Sequence, residues 1–298
     1  MSDASVQPRA VGVVGAGLMG SGIAETVARA GASVILHEPD ARVLDRSRAG
    51  IARSLERAQR GGKLTAADAA AALRRIVAAT DLDALAEAEI VVEAVTEDVS
   101  VKRRVFRALD GVAADDALLA SNTSSIPIAV LARETARPEQ VVGLHFFSPV
   151  PVMRLVEIVV ALDTGPQAVE RAEVCAAWLG KRAIRTKDRS GFVVNMLLVP
   201  YLVAAVAMLE EGFATREDID DGMRLGCGHP MGPLALCDFI GLDVVYAICE
   251  SLYDEFKQPA YAPPPLLKRM VATGRLGRKS GIGFYDYKAA AAAEGRAA

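Results

Sequence analysis

The sequence predicts an α/β chain: a doubly wound, Rossmann-type N-terminal domain followed by an all-α C-terminal domain. Three observations carry this. A glycine-rich turn, "GVVGAGLMGSGIA", directly follows a short apolar run and opens a helical one. Short β-branched runs then alternate with helical stretches to about residue 186. Beyond "TKDRSG" (186–191) the strand signals stop and long helical runs continue toward the C-terminus.

Taken in order, "RAVGVVGAG" (9–17) reads as a short buried strand, 18–30 as a helix and "SVILHE" (33–38) as a second strand, which together make a βαβ unit. A charged helical stretch over 41–61 breaks at "GGK", and an Ala-rich helix covers 65–75. "EIVVEAV" (89–95) is continuous and β-branched, as a strand covered on both faces should be. A helix over 100–112, a strand over 117–122, a helix begun by Pro127 and strands over 140–147 and 154–160 follow. The composition shift sets the expected domains at 1–188 and 189–287. The Ala-rich stretch 288–298 lacks an amphipathic face and is expected to be a flexible tail.

The 298 residues carry 34 Lys and Arg against 37 Asp and Glu, a net charge of -3 with the basic residues scattered. That balance argues against a nucleic-acid or membrane-surface partner. Four cysteines show no CxxC spacing and no clustering with histidine, so neither a disulfide framework nor a metal site is expected. The N-terminus has no charged segment leading into an apolar one, and a cytoplasmic location is expected. The charge-free run 192–209 is broken by Asn195 and Pro200 and reads as a buried helix rather than a bilayer span.

The glycine turn spells Gly15-x-Gly17-x-x-Gly20. The three glycines would give a tight turn, close backbone approach to a pyrophosphate, and close helix-on-strand packing, with the helix N-terminus facing the phosphates. Glu38 ends the second strand, where a carboxylate would accept from ribose hydroxyls and repel a 2′-phosphate, favouring NAD over NADP. Asp40 could serve instead. His37 is expected to face the other side of the strand, at the surface.

Hydride transfer needs a proton acceptor that titrates near neutrality, and histidine is the default. Only three are present. His229, in "CGHPMGP", reads as a turn residue capping backbone, whereas His145 ends a buried strand on the carboxyl side, where doubly wound sheets place their chemistry. Glu157 is the one charge in "LVEIVV", and a buried carboxylate needs a partner. If the two strands are neighbours, His145 and Glu157 can meet. In "SNTSSIP" (121–127) the hydroxyls fit either helix caps, Ser125 among them, or substrate contacts. Asn195 fits a helix-packing contact or a substrate contact equally well.

At these residues the sequence resembles the 3-hydroxyacyl-CoA dehydrogenase family over roughly residues 10–287. "GAGLMGSGIA", "VVEAVTEDVSVKRRVF", "ASNTSSIPI", "GLHFFSPVPVMRLVEIV", "DRSGFVVN", "HPMGPLALCDFIGLD" and "GRLGRKSGIGFYDY" occur in the family's order. The resemblance implies NAD as cofactor, a short (S)-3-hydroxyacyl-CoA as substrate and a homodimer formed through the helical domain. It implies His145 as general base, Glu157 as its orienting acid, and Ser124 and Asn195 as hydrogen-bond partners of the reacting oxygen or thioester carbonyl. Leu18, Met19 and Asn122 join the glycines and Glu38 as cofactor contacts, with Glu97 and Lys102 on the nicotinamide ribose side. Arg53, Arg57 and Lys63 are candidates for the CoA phosphates, although solvated helix charges have the same appearance.

Two positions depart from the family pattern. Ser148 stands where relatives usually carry Asn, and Met196 where they commonly carry Arg, which puts the acyl and carrier contacts of this chain in question. An acyl-carrier-protein substrate is therefore an alternative to the CoA ester. A non-catalytic dinucleotide-binding protein is a remoter one, set against by the presence of Ser124, His145, Glu157 and Asn195 together.

Overall fold

The computed structural model describes residues 7–288, so nearly all of the tail expected over 288–298 lies outside the described residues. The chain divides into two compact units, which meet in sequence at Arg189 and Ser190.

The first unit is one eight-stranded sheet flanked by helices. In chain order its strands are β1 (Ala10–Val14), β2 (Ser33–His37), β3 (Ile76–Ala79), β4 (Ile90–Glu93), β5 (Leu118–Ser121), β6 (Val141–Phe146), β7 (Leu155–Val160) and β8 (Arg182–Lys187). Across the sheet they run β3-β2-β1-β4-β5-β6-β7-β8. All neighbours are parallel except β6 and β7. The helices are α1 (Leu18–Ala30), α2 (Ala41–Arg60), α3 (Ala66–Arg74), α4 (Val99–Val112), α5 (Ile128–Ala132) and α6 (Pro166–Trp178). Strand order reverses between β1 and β4, and the crevice beyond the strand ends at such a point is where this architecture binds ligands.

Central strands β1, β4, β5 and β6 are buried almost throughout, which is why they read as continuous apolar runs. The edge strands β3 and β8 lack that signal. β3 has four residues with Val77 57 % exposed, and β8, "RAIRTK", has no fully buried residue. The β6–β7 connection is too short for a crossover helix, so β7 must return antiparallel.

The sequence-based placement of His37 at the surface is incorrect. It is 6 % exposed, because β2 lies inside the sheet between β1 and β3, and burial pushes its imidazole pKa down. Ser125 is not the cap of the Pro127 helix. The Asp188 carboxylate accepts the N–H groups of Ile128 (2.8 Å) and Ala129 (2.8 Å) at the start of α5.

The second unit is helical: α7 (Val194–Glu210), α8 (Arg216–Gly226), α9 (Pro233–Ile240), α10 (Leu242–Phe256) and α11 (Pro265–Ala272). Its core gathers Val199, Leu202 and Val206 of α7 with Leu234, Cys237, Val245, Cys249, Leu252 and Leu267. Two buried carboxylates fix the ends of elements. Asp220 accepts from the N–H groups of Leu234 and Ala235 at the start of α9, and Asp238 from those of Phe284 and Tyr285. Among the described residues no helix is long and apolar enough to cross a membrane.

Candidate active site

The glycine turn is shaped as its spacing predicts. Gly15 has φ +98° and a side chain there would meet the Ala94 carbonyl at 2.7 Å, while a Cβ on Gly20 would lie 1.8 Å from the Gly15 carbonyl oxygen. At Gly17 a Cβ would meet nothing within 4 Å, so the loop is tight on the protein side and open on the outer side. Gly17 caps α1 without a side-chain hydrogen bond and the first turn carries no acid, which leaves the helix N-terminus free to face an anion. Glu38 approaches this turn from the end of β2, one carboxylate oxygen 3.3 Å from the Ala16 N–H. Leu18 is 78 % exposed beside it, whereas Met19, half-buried, packs against the core. Glycines that cannot carry a side chain, an unfilled space over Gly17 and a carboxylate beside it fit a dinucleotide.

The residues expected to handle the proton, Ser124 and His145, lie at the carboxyl ends of β5 and β6. His145 and Glu157 are direct cross-strand partners in the antiparallel pair, so both side chains leave the same face of the sheet. Glu157 is 0 % exposed and its Oε2 lies 2.7 Å from His145 Nδ1. Isolating that carboxylate from water costs several kcal/mol unless it is paired, and the imidazole supplies the pairing. With Nδ1–H donating to Glu157, Nε2 keeps its lone pair. It faces the Ser124 hydroxyl at 3.0 Å. His145, 4 % exposed, is thus fixed in ring orientation from both nitrogens.

The loop bearing Ser124 is held by Glu97. One carboxylate oxygen accepts from the Thr123 hydroxyl (2.6 Å), the Ser124 N–H (2.8 Å) and the Ser125 N–H (3.2 Å). Desolvation raises the Glu97 pKa, but the Lys102 ammonium, the Thr123 hydroxyl and the Ser124 N–H outweigh it and hold the carboxyl below its usual range. Lys102 is itself 1 % exposed, its Nζ 2.7 Å from Glu93 and 3.3 Å from Glu97, so of the two expected ribose-side residues only Glu97 has an accessible edge. Asn122 works within the fold, its Oδ1 accepting the Phe146 N–H at 2.9 Å and tying the end of β5 to the end of β6.

A groove of about 550 Å³ runs from the glycine turn between α1 and α2. Arg46, Arg53 and Arg57 of α2 line it, with Ser148 and Pro149 on the other side. Its size is that of a small-molecule site. Lys63, in the exposed turn after α2, does not line it.

In the helical unit Asn195 is 7 % exposed in the first turn of α7. Next to it, Met196 Sδ accepts a hydrogen bond from the Tyr261 hydroxyl at 3.6 Å and packs against the apolar core, a setting that suits a thioether. His229 is exposed, and its ring nitrogen meets the Tyr201 hydroxyl at 3.2 Å rather than capping backbone. The residues that sequence reasoning passed over are Glu93 and Asp188, while the hydroxyls of Ser121 and Thr123, read as caps or substrate contacts, instead bond Glu93 and Glu97. Glu93, a charge ending an apolar strand, carried the same signal that singled out Glu157.

Both units of the chain have known relatives. Residues 10–189 match the family model for the 3-hydroxyacyl-CoA dehydrogenase NAD-binding domain, and residues 191–287 that for its C-terminal domain. A 3-hydroxybutyryl-CoA dehydrogenase of Mycobacterium tuberculosis is 53 % identical over 96 % of this chain and 100 % of its own. The crystal structure of FadB2 from M. tuberculosis has a TM-score of 0.93 at 52 % identity, covering 95 % of this chain and 100 % of that one. That of (S)-3-hydroxybutyryl-CoA dehydrogenase from Ralstonia eutropha has a TM-score of 0.89 at 45 % identity, with 95 % and 100 % covered. The chain belongs to the 3-hydroxyacyl-CoA dehydrogenase family.

Proposed function

We propose that the protein interconverts a short (S)-3-hydroxyacyl-CoA, 3-hydroxybutyryl-CoA foremost, and its 3-oxoacyl-CoA with NAD, using His145 as the proton acceptor. The Ser124–His145–Glu157 chain of hydrogen bonds, at the same carboxyl edge of the parallel strands as a turn shaped for a dinucleotide, carries the reading. Bound NAD+ supplies the hydride acceptor. His145 Nε2 takes the proton of the 3-hydroxyl as the C3–H bond gives up its hydride, and Glu157 balances the charge that forms on the ring. Ser124 orients the oxygen while it changes from hydroxyl to carbonyl. Asn195 is a substrate contact on the family resemblance. In reduction the imidazolium returns the same proton.

The arginines of α2 support a CoA ester, since Arg53 and Arg57 offer guanidinium groups to the phosphates in a groove that also reaches Ser148. Relatives differ in what their names say they act on. A 3-hydroxyadipyl-CoA dehydrogenase of Escherichia coli is 43 % identical over 95 % of this chain and 60 % of its own length. NADH-linked rates on 3-oxoacyl-CoA esters of increasing length, beside acetoacetyl groups loaded on a carrier protein, test the substrate. The fastest turnover is expected with acetoacetyl-CoA, and turnover of the carrier-bound group alone would refute the CoA reading.

A homodimer through the helical unit belongs to the same proposal. Leu197 (73 % exposed), Phe239 (47 %) and Val193 (39 %) border an apolar groove with Tyr201 and Met231, a surface that association would cover. Sedimentation would show twice the chain mass. A cytoplasmic location accords with cysteines that are all free, three of them buried, the Cys175 thiol pushed up to about 12 by burial.

A further inference from the structure

Glu93 plays no part in the reaction just described, yet both its carboxylate oxygens are held by buried partners. It is the last residue of β4, 0 % exposed, and the direct register partner of Ser121 at the end of β5. Its Oε1 accepts from the Lys102 ammonium at 2.7 Å and the Val95 N–H at 2.7 Å, and its Oε2 from the Ser121 hydroxyl at 2.6 Å. A buried ion pair is weak evidence for stability, because apolar residues of similar volume often serve as well or better. What the pair does here is fix positions.

We propose that Glu93 is a positioning residue for hydride transfer, setting the place of the Ser124 hydroxyl through two routes that converge on the loop 121–125. The first runs through Ser121, whose hydroxyl donates to Glu93 and accepts the Thr123 N–H at 3.2 Å. The second runs through Lys102. Its ammonium is shared between Glu93 at 2.7 Å and Glu97 at 3.3 Å, and Glu97 in turn accepts the Ser124 N–H at 2.8 Å. Two carboxylates divide one buried ammonium. With Glu93 neutral, Lys102 has Glu97 as its remaining charged partner among these contacts and draws it off the loop. Ser124 Oγ then leaves its 3.0 Å contact with His145 Nε2. Misplacement by about 1 Å in such a constellation costs about a hundredfold in rate.

This inference rests on the role proposed for Ser124 with His145, and a double-mutant cycle on the full chain separates the two. The readout is the single-turnover rate of NADH oxidation by acetoacetyl-CoA in the wild type, Glu93→Gln, Ser124→Ala and the double variant, each with its NADH affinity. Glu93→Gln is expected to lower the rate at saturating NADH about tenfold or more, and to lower it less than about twofold in the Ser124→Ala background. Damage to the fold alone would add in both backgrounds. If Glu93→Gln does not fold, Ser121→Ala leaves the ion pair in place and runs the same cycle, with about a threefold loss expected only where Ser124 is present. Equal losses in both backgrounds, or a folded Glu93→Gln with the wild-type rate, would overturn the positioning role. A wild-type rate in Ser124→Ala would instead remove the role of Ser124, and with it the route from Glu93.

Discussion

Replacing Glu157 with glutamine keeps the shape of the His145 pair and removes its charge. The carboxylate oxygen lies 2.7 Å from Nδ1 in a place with no solvent access, so the centre of the carboxylate and that of the imidazolium are about 4 Å apart, worth about 4 kcal/mol at an effective dielectric of 20. If the proton is half transferred at the transition state, about half of that, about 2 kcal/mol, is lost from the barrier stabilisation, or about thirtyfold in rate. A glutamine can also present its amide N–H to Nδ1, which would favour the tautomer with the proton on Nε2 and deepen the loss. The assay is NADH formation from (S)-3-hydroxybutyryl-CoA. kcat should fall at least about thirtyfold while KM for both substrates stays within about threefold, since Glu157 touches neither. A kcat within about threefold of wild type would refute the reasoning.

Two further predictions concern the glycine turn and the α1–α2 groove. Gly17→Ala should leave thermal stability within about 0.5 kcal/mol, because its Cβ enters open space, yet weaken NADH binding at least about tenfold by intruding where the pyrophosphate lies; fluorescence titration of NADH would show it, and unchanged affinity would refute the cofactor placement. Glu25, 2 % exposed on α1, has its carboxyl pKa raised by burial against the opposing pull of Ser54, Arg29 and Arg57. Its folded pKa therefore stands above its unfolded one, so stability present below the unfolded value is lost as pH rises through the folded one. Glu25→Gln should melt higher than wild type at pH 7 and match it below about pH 4, near the unfolded carboxyl value. A lower melting temperature at pH 7 would contradict it.

How much of this was readable in advance depends on where each residue sits. The glycine turn, the βαβ unit and the central strands were legible because burial on both faces leaves unbroken apolar runs, as in β4 and β6. β3 and β8 were not, because edge strands expose one flank and carry mixed residues such as the three basic ones of "RAIRTK". His145 and Glu157 were legible together from a lone charge in an apolar run and a connection too short for a parallel return. Glu93 offered the same lone charge, but at a strand end, where solvent is the ordinary expectation; its burial depends on Lys102 folding back from α4. Asp188 caps α5 from 60 residues away, and nothing local in the sequence announces it. The departure at Met196 finds its reason in the hydrogen bond from the Tyr261 hydroxyl and the apolar core around it, whereas nothing in the structure explains Ser148 in place of Asn.

The central claim is that His145 carries the proton of the reacting hydroxyl, and His145→Gln measures it most directly. Single-turnover oxidation of (S)-3-hydroxybutyryl-CoA by the variant, with its NADH affinity determined in parallel, separates chemistry from binding. The account predicts a rate lower by about a hundredfold to ten-thousandfold with NADH affinity within about twofold of wild type. Hydride transfer at near wild-type rate in a folded His145→Gln protein would contradict it.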